Sequence, residues 1–159
     1  MRVYRIERAR YVPTALSGLG AAQSEGARWN SLHTPMVYTS ESRALAMLEV
    51  AVHLDLSEDV PTDRYLVVID IPDDLHIMTL NKEALPPQWE AKPPTSNSQR
   101  IGDDFIRHQA AAVFQVPSAI VSDECNYLIN PLHPEAVRIR VVETAPFAFD
   151  LRWTPNSSL

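Results

Sequence analysis

Apolar and charged residues alternate over positions 2–8, with Val3 and Ile6 among polar neighbours, and this period predicts an opening strand. From Thr14 to Pro35 the alternation is lost, and the irregular stretch holds three of the four glycines, Gly18, Gly20 and Gly26. Loops this long in compact domains are often functional. Met36 to Tyr38 reads as a short strand running into a polar cluster, Thr39-Ser40-Glu41-Ser42. Thr39 or Ser40 can cap free backbone N–H groups there, and Glu41 suits the positive end of a helix dipole. Ala44, Leu45, Leu48, Ala51 and Val52 then recur at helical spacing, which predicts a helix over about 41–54.

Tyr65 to Ile71 is a continuous apolar run stopped by Pro72 and predicts a buried strand, with a shorter one over 76–80. Residues 84–98 are rich in proline and polar side chains and read as loop, with one helical turn near Trp89. Residues 99–112 place Ile101, Phe105, Ile106 and Gln109 along one helical face. Short apolar runs at 113–116, 119–121, 127–129 and 137–142 predict further strands, and the final dozen residues an edge segment and tail. No repeat or linker interrupts this order, so residues 1–159 are expected to form a single domain, the core reaching about residue 145 and the tail covering 146–159. The expected class is α+β, with a mostly antiparallel, split sheet flanked by helices.

Composition narrows the classes of partner. A chain of 159 residues can bury a substantial core without disulfides, and the lone Cys125 cannot form one internally. With no apolar run resembling a signal peptide and none approaching about 20 residues, a cytoplasmic location and no membrane contact are expected. Fourteen basic residues against twenty acidic, net −6, disfavour direct nucleic-acid binding, which needs many phosphates neutralised. A few local arginines can still hold a small anion.

Taken singly, the candidate chemical residues each have an ordinary alternative. Arg28, in Arg28-Trp29-Asn30 after the glycine-bearing loop, can grip a phosphate or carboxylate from a strand edge, or pair with a surface acid. Glu49 is a lone carboxylate among Met47, Leu48, Val50, Ala51 and Val52, either solvated or kept for a purpose. His53 lies four residues on and could bond it, but no second such pair or HExxH signature supports a metal site, so none is expected. Ser118 follows Val116-Pro117 without the elbow of a hydrolase nucleophile, which favours a hydrogen-bonding role. Asn130 and His133 flank Pro131 as turn formers do. Cys125, Trp29, Tyr38 and Trp89 are ordinary core residues in most settings.

In order, however, ARWN, TPMVYTSES, ALAMLEVAVH, QRIGDDF and VPSAIVSDECNYLINPLHPE resemble the RES domain, over nearly the whole chain to about Val142. The family is named for an Arg, a Glu and a Ser, matched here by Arg28, Glu49 and Ser118; Ser122 lies close by, and the Val-Pro before Ser118 favours the latter. The resemblance implies an ADP-ribosyltransferase-like fold and the toxin of a bacterial toxin–antitoxin pair that degrades NAD+ by hydrolysis or phosphorolysis. It implies NAD+ as substrate with no separate cofactor, and a partner antitoxin carrying an Xre-like helix-turn-helix domain that occludes the active site. On that resemblance Glu49, Arg28 and Ser118 are the catalytic residues, Glu49 at the nicotinamide ribose and Arg28 on that ribose or the pyrophosphate, while Arg28, Tyr38, Ser118, Asn126, Trp29 and His53 bind substrate. Transfer of ADP-ribose to a protein acceptor and a silent binding module remain alternatives, as do monomer and homodimer.

Overall fold

In a computed structural model, which describes residues 1–56, 60–150 and 152, the alternating N-terminal segment forms strand β1 (Arg2–Arg8). The irregular stretch after it is partly ordered into a 3₁₀ turn over Ala9–Thr14 and a one-turn helix α1 (Leu19–Ala22). Strand β2 (Val37–Ser40) leads into helix α2 (Arg43–Ala51), followed by β3 (Arg64–Asp70) and a short β4 (Ile77–Thr79). Helix α3 (Ser96–His108) precedes the β5 (Val113–Pro117) and β6 (Cys125–Ile129) pair, and β7 (Arg140–Phe147) closes the order. Among the described residues no helix is long and apolar enough to cross a membrane.

The seven strands form one sheet in the order β4-β5-β6-β2-β1-β3-β7. Only β4 and β5 are parallel; every other neighbour is antiparallel. The two middle strands barely meet: β1 and β2 share the single facing pair Tyr4–Ser40. Past that pair β1 continues along β3 and β2 continues along β6, so the sheet forks into two halves. This is the mixed, mostly antiparallel, split architecture expected from the pattern.

Register sorts the core into two layers. On one face Val3, Val37, Val67, Ile69, Val113 and Ile129 pack under Ala15 and Ile139. The opposite face carries both longer helices. There α3 buries Phe105 and Ile106 against Met36, Phe114 and Leu128, while Met47 and Val50 of α2 pack on Ile6, Leu66 and Val68. Between these two apolar clusters the same face presents Tyr38, Ser40 and Asn126, a polar strip at the fork.

Several element ends differ from those the pattern predicts. Helix α2 starts later, because the cap is Ser42, whose hydroxyl accepts the Leu45 N–H at 3.0 Å. Thr39 and Ser40 belong to β2 instead; Thr39 donates to the Tyr127 carbonyl at 2.7 Å. Helix α3 begins at Ser96, capped by Thr95, and stops at Gln109, whose φ of 49° turns the chain into β5. Residues 119–121 form no strand; they are the hairpin loop between β5 and β6, closed by Ser118 N–H on the Glu124 carbonyl at 2.9 Å. Residues 134–138 coil into a 3₁₀ turn, and the last strand runs on through Pro146, which an edge position tolerates. Of the tail, residues 151 and 153–159 lie outside the described residues.

Gly18 is needed where the chain returns from the irregular stretch to β2. Its φ is +69°, and an added Cβ would lie 2.6 Å from the Met36 backbone nitrogen. Gly18→Ala is therefore expected to cost about 2–3 kcal/mol through strain and overlap. Gly20→Ala, with nothing within 4 Å of the new methyl and a helical backbone, should be neutral or slightly stabilising. Urea midpoints of the two variants check this; equal shifts would sink the account.

Candidate active site

Where the strands part, a cavity of about 1140 Å³ opens between β1 and β2, somewhat above the roughly 300–1,000 Å³ usual for small-molecule sites. Ile6 and Arg8 line it from one side of the fork, Tyr38 and Ser40 from the other, and Glu49 from α2 above. The edges of β1 and β2 that face the gap are a direct consequence of the single Tyr4–Ser40 pair.

Glu49 is half-buried, near the end of α2, and its environment explains why a carboxylate stands in an apolar run. Its Oε1 accepts from Ser118 Oγ at 3.1 Å and from Asn126 Nδ2 at 2.5 Å. Asn126 is held in turn by Ser40 Oγ, which donates to its Oδ1 at 2.8 Å across the β2–β6 ladder. Both donors converge on one oxygen. Oε2 takes no hydrogen bond from the described residues, and Glu49 lines the cavity. Hydrogen bonds to a charged group contribute about 1.5–3 kcal/mol each, so the carboxylate orientation is well determined.

Ser118 is itself fixed, its hydroxyl oxygen accepting the N–H groups of Ile120 and Val121 at 3.1 and 3.2 Å. It is buried behind the carboxylate and outside the cavity wall, so it orients Glu49 rather than reaching a ligand. Ser122, the neighbouring serine, is exposed in the hairpin loop.

Tyr38 presents its ring to the cavity while its hydroxyl is locked behind it. The hydroxyl donates to Asn30 Oδ1 at 2.7 Å and accepts the Trp29 N–H at 3.0 Å. Burial raises its pKa well above the ordinary tyrosine value, so it stays protonated and remains a donor. Asn30, fully buried, spends its amide on the carbonyls of Ala21, Ser31 and Thr34 and so pins the loop carrying Arg28.

Arg28 lies in that loop rather than on a strand edge. Its guanidinium donates through one nitrogen to the carbonyls of Trp89, at short range, and Ala91 at 3.1 Å. The proline-rich 84–98 segment is thereby strapped across one side of the cavity. Burial lowers the Arg28 pKa, opposed by the fields of Glu49, Glu90 and Tyr38, and the group remains a cation.

Two further candidate residues stand apart from the Glu49 network. Trp29 is buried behind the wall, stacked on Trp89 with centroids 5.8 Å apart, because the apolar cluster under α3 takes up its ring. It reaches the site only through its backbone N–H on Tyr38. His53 is exposed on the cavity rim beyond the last turn of α2; Glu49 is bonded by Ser118 and Asn126 and not by this imidazole. In the 126–134 block, Asn126 serves the site, whereas Asn130 and His133 hold turns, accepting the N–H groups of Leu132 and Glu135.

Sequence reasoning missed what anchors the Arg28 loop from outside. From α3, Gln99 donates to the Ala27 carbonyl at 3.0 Å, and Asp103 accepts Ser31 N–H and Oγ at 3.0 and 2.6 Å. Gly102 lets the helix lie directly on the Trp29 backbone: an added Cβ would sit 1.6 Å from its carbonyl oxygen. A glycine in mid-helix, one residue before that aspartate, was the available signal.

Comparison with known proteins returns one consistent result. The family described as RES domain matches residues 2–150. The chain is 40% identical over 144 residues to the Prs ADP-ribosylating toxin of Sphingobium sp., covering 89% of this chain and 88% of that one. It is 37% identical over 153 residues to Toxin Res of Photorhabdus laumondii, covering 96% of each. In fold it resembles a chain of the M. tuberculosis MbcT–MbcA toxin–antitoxin complex, with TM-score 0.72, 22% identity, 92% of this chain and 83% of the other.

The Asn126 amide is the donor that a carboxylate cannot replace. Asn126→Asp would set an acceptor against Glu49 Oε1 and is expected to cost about 2 kcal/mol or more at pH 8. The introduced carboxyl has its folded pKa raised by the neighbouring charge, so the loss is present at high pH and relieved as pH falls through that raised value. Melting temperatures at pH 8 and pH 5 check the sign: the deficit against wild type should shrink at pH 5.

Proposed function

The chain belongs to the RES domain family, and on that premise we propose that it is the toxin of a toxin–antitoxin pair that breaks the nicotinamide–ribose bond of NAD+. The observation that carries the reading is Glu49, a cavity-lining carboxylate with one oxygen held by Ser118 and Asn126 and the other without a hydrogen bond among the described residues. Nicotinamide leaves as a neutral ring, its nitrogen taking the bonding pair, so no general acid is required. The demand falls on the oxocarbenium-like charge that develops on the ribose. A fixed carboxylate stabilises that charge without reorganising, and in this reading Oε2 accepts a ribose hydroxyl as well. The Tyr38 ring stacks on nicotinamide, and the free N–H groups of Arg28 hold the nicotinamide ribose from the strap side. Ser118 and Asn126 act through Glu49.

An acceptor then attacks the anomeric carbon and loses a proton: water gives ADP-ribose, phosphate gives its 1-phosphate. NAD+ is consumed as substrate, and the scheme requires no metal or further cofactor. A second reading, transfer of ADP-ribose to a protein, is favoured by the 40% identical relative named an ADP-ribosylating toxin. The same bond breaks at the same carboxylate; only the acceptor differs. The partner we propose is an antitoxin, in keeping with the complex in which the structural neighbour occurs, with an Xre-like helix-turn-helix domain. The toxin acts as one domain in the cytoplasm.

Glu49→Gln keeps the side-chain shape and loses the charge. We expect NAD+ cleavage to fall by about 10²–10³-fold with the melting temperature little changed. Chromatography of NAD+, nicotinamide and ribose products, with and without phosphate and with and without a candidate acceptor protein, reads both the rate and the acceptor. Retained cleavage in the folded variant would remove Glu49 from the mechanism; intact NAD+ with wild type alone but labelled acceptor would favour transfer.

A further inference from the structure

The cavity, about 1140 Å³, is larger than the nicotinamide riboside half of a dinucleotide needs. Besides Ile6, Glu49, Val50 and His53, its lining includes the residues that follow β1. Two of the arginines lining it are already engaged. Arg28 is spent in part on the strap carbonyls, and Arg5 donates to Glu7 and to the Ala15 carbonyl.

Arg8 and Arg10 are not so engaged. Both line the cavity, both are exposed, and neither guanidinium has an ion pair or hydrogen bond among the described residues. Lys92 faces the same space from the strap. Of the acids that share the lining, Glu7 is paired with Arg5 and Glu49 is held by its donors, which leaves Glu90 as the opposing charge. In a chain of net charge −6, two guanidinium groups without an ion pair among the described residues, both lining the cavity, are an anion-binding arrangement.

Tyr11 adds an aromatic face. It is 46% exposed, lines the cavity, and the Arg10 guanidinium lies over its ring at 4.7 Å from the centroid. A large exposed ring braced on one side by a cation offers its surface to a flat heterocycle, and stacking of a base on such a ring contributes about 1–3 kcal/mol.

We propose that Arg8, Arg10 and Tyr11 form the subsite for the adenosine diphosphate end of the dinucleotide, the two arginines on the diphosphate and the tyrosine under the adenine. This rests on the NAD+ reading above and extends it: Glu49 selects the bond, and the arm after β1 selects a full dinucleotide over a mononucleotide. The arm belongs to a separate turn from the Glu49 network, so it sets binding rather than the chemical step.

Calorimetric titration with ADP and with inorganic pyrophosphate tests this directly on wild type, Arg8→Ala/Arg10→Ala and Tyr11→Ala, all at exposed positions and each checked by its melting curve. Wild type should bind both probes. The double arginine variant should lose about tenfold or more for both, and Tyr11→Ala several-fold for ADP alone. ADP affinity unchanged in the arginine variant, or no ADP binding by wild type, overturns the subsite. Failure of wild type to consume NAD+ while it still binds ADP through the arm would sink the reaction and leave the subsite standing. Where NAD+ is consumed, the arginine variant should raise KM about tenfold with kcat nearly unchanged.

Discussion

The one facing pair between β1 and β2, Tyr4 with Ser40, is the constraint from which the rest follows. Had the two strands paired along their length, the sheet would be closed at its centre, with no gap beside α2. Because they part, their facing edges need other partners or water. Some of the polar groups there are satisfied by one another: Thr39 on the Tyr127 carbonyl, Ser40 on Asn126, the Tyr38 hydroxyl between Asn30 and the Trp29 N–H. A polar strip therefore lies between two apolar clusters on the same face, and the site is that strip.

A charged group in such a place can be held by an ion pair or by neutral donors. Glu49 takes the second course, and the choice has consequences. A pairing with Arg28 would set a cation directly on the carboxylate. Instead the arginine turns to the carbonyls of Trp89 and Ala91, and two neutral donors carry the carboxylate. The charge is oriented yet not neutralised. The strap gains a cationic clasp, and Trp29 stacked on Trp89 braces it from the core side.

Much of the scaffold was legible because it depends on local period. β1 and β3 show it plainly, and α2 announces itself through Leu45 and Leu48. Boundaries were less legible where a side chain had two possible uses. Thr39 and Ser40 are good caps by type, yet the pairing of β2 with β6 claims them, and Ser42 does the capping. Ala119 to Val121 is apolar enough for a strand, but the hairpin between Pro117 and Cys125 needs a turn there. The site itself is invisible to period: the donors on Glu49 lie 69 and 77 positions away, and only resemblance to a family joined them. Resemblance in turn said nothing of Gly102, whose missing Cβ is a matter of helix-to-backbone distance.

The long reach of those two hydrogen bonds bears on how the protein is made. A ribosome releases Glu49 early, with α2 able to coil as soon as its residues emerge. Ser118 and Asn126, however, arrive only when most of the chain has been translated, and β6 must then slot between β5 and β2. Until it does, the carboxylate lacks both of its donors and β2 lacks the strand that pairs along its whole length. A chain that stops before β6 thus carries the carboxylate without the two groups that aim it, so the site is completed only at the end of synthesis.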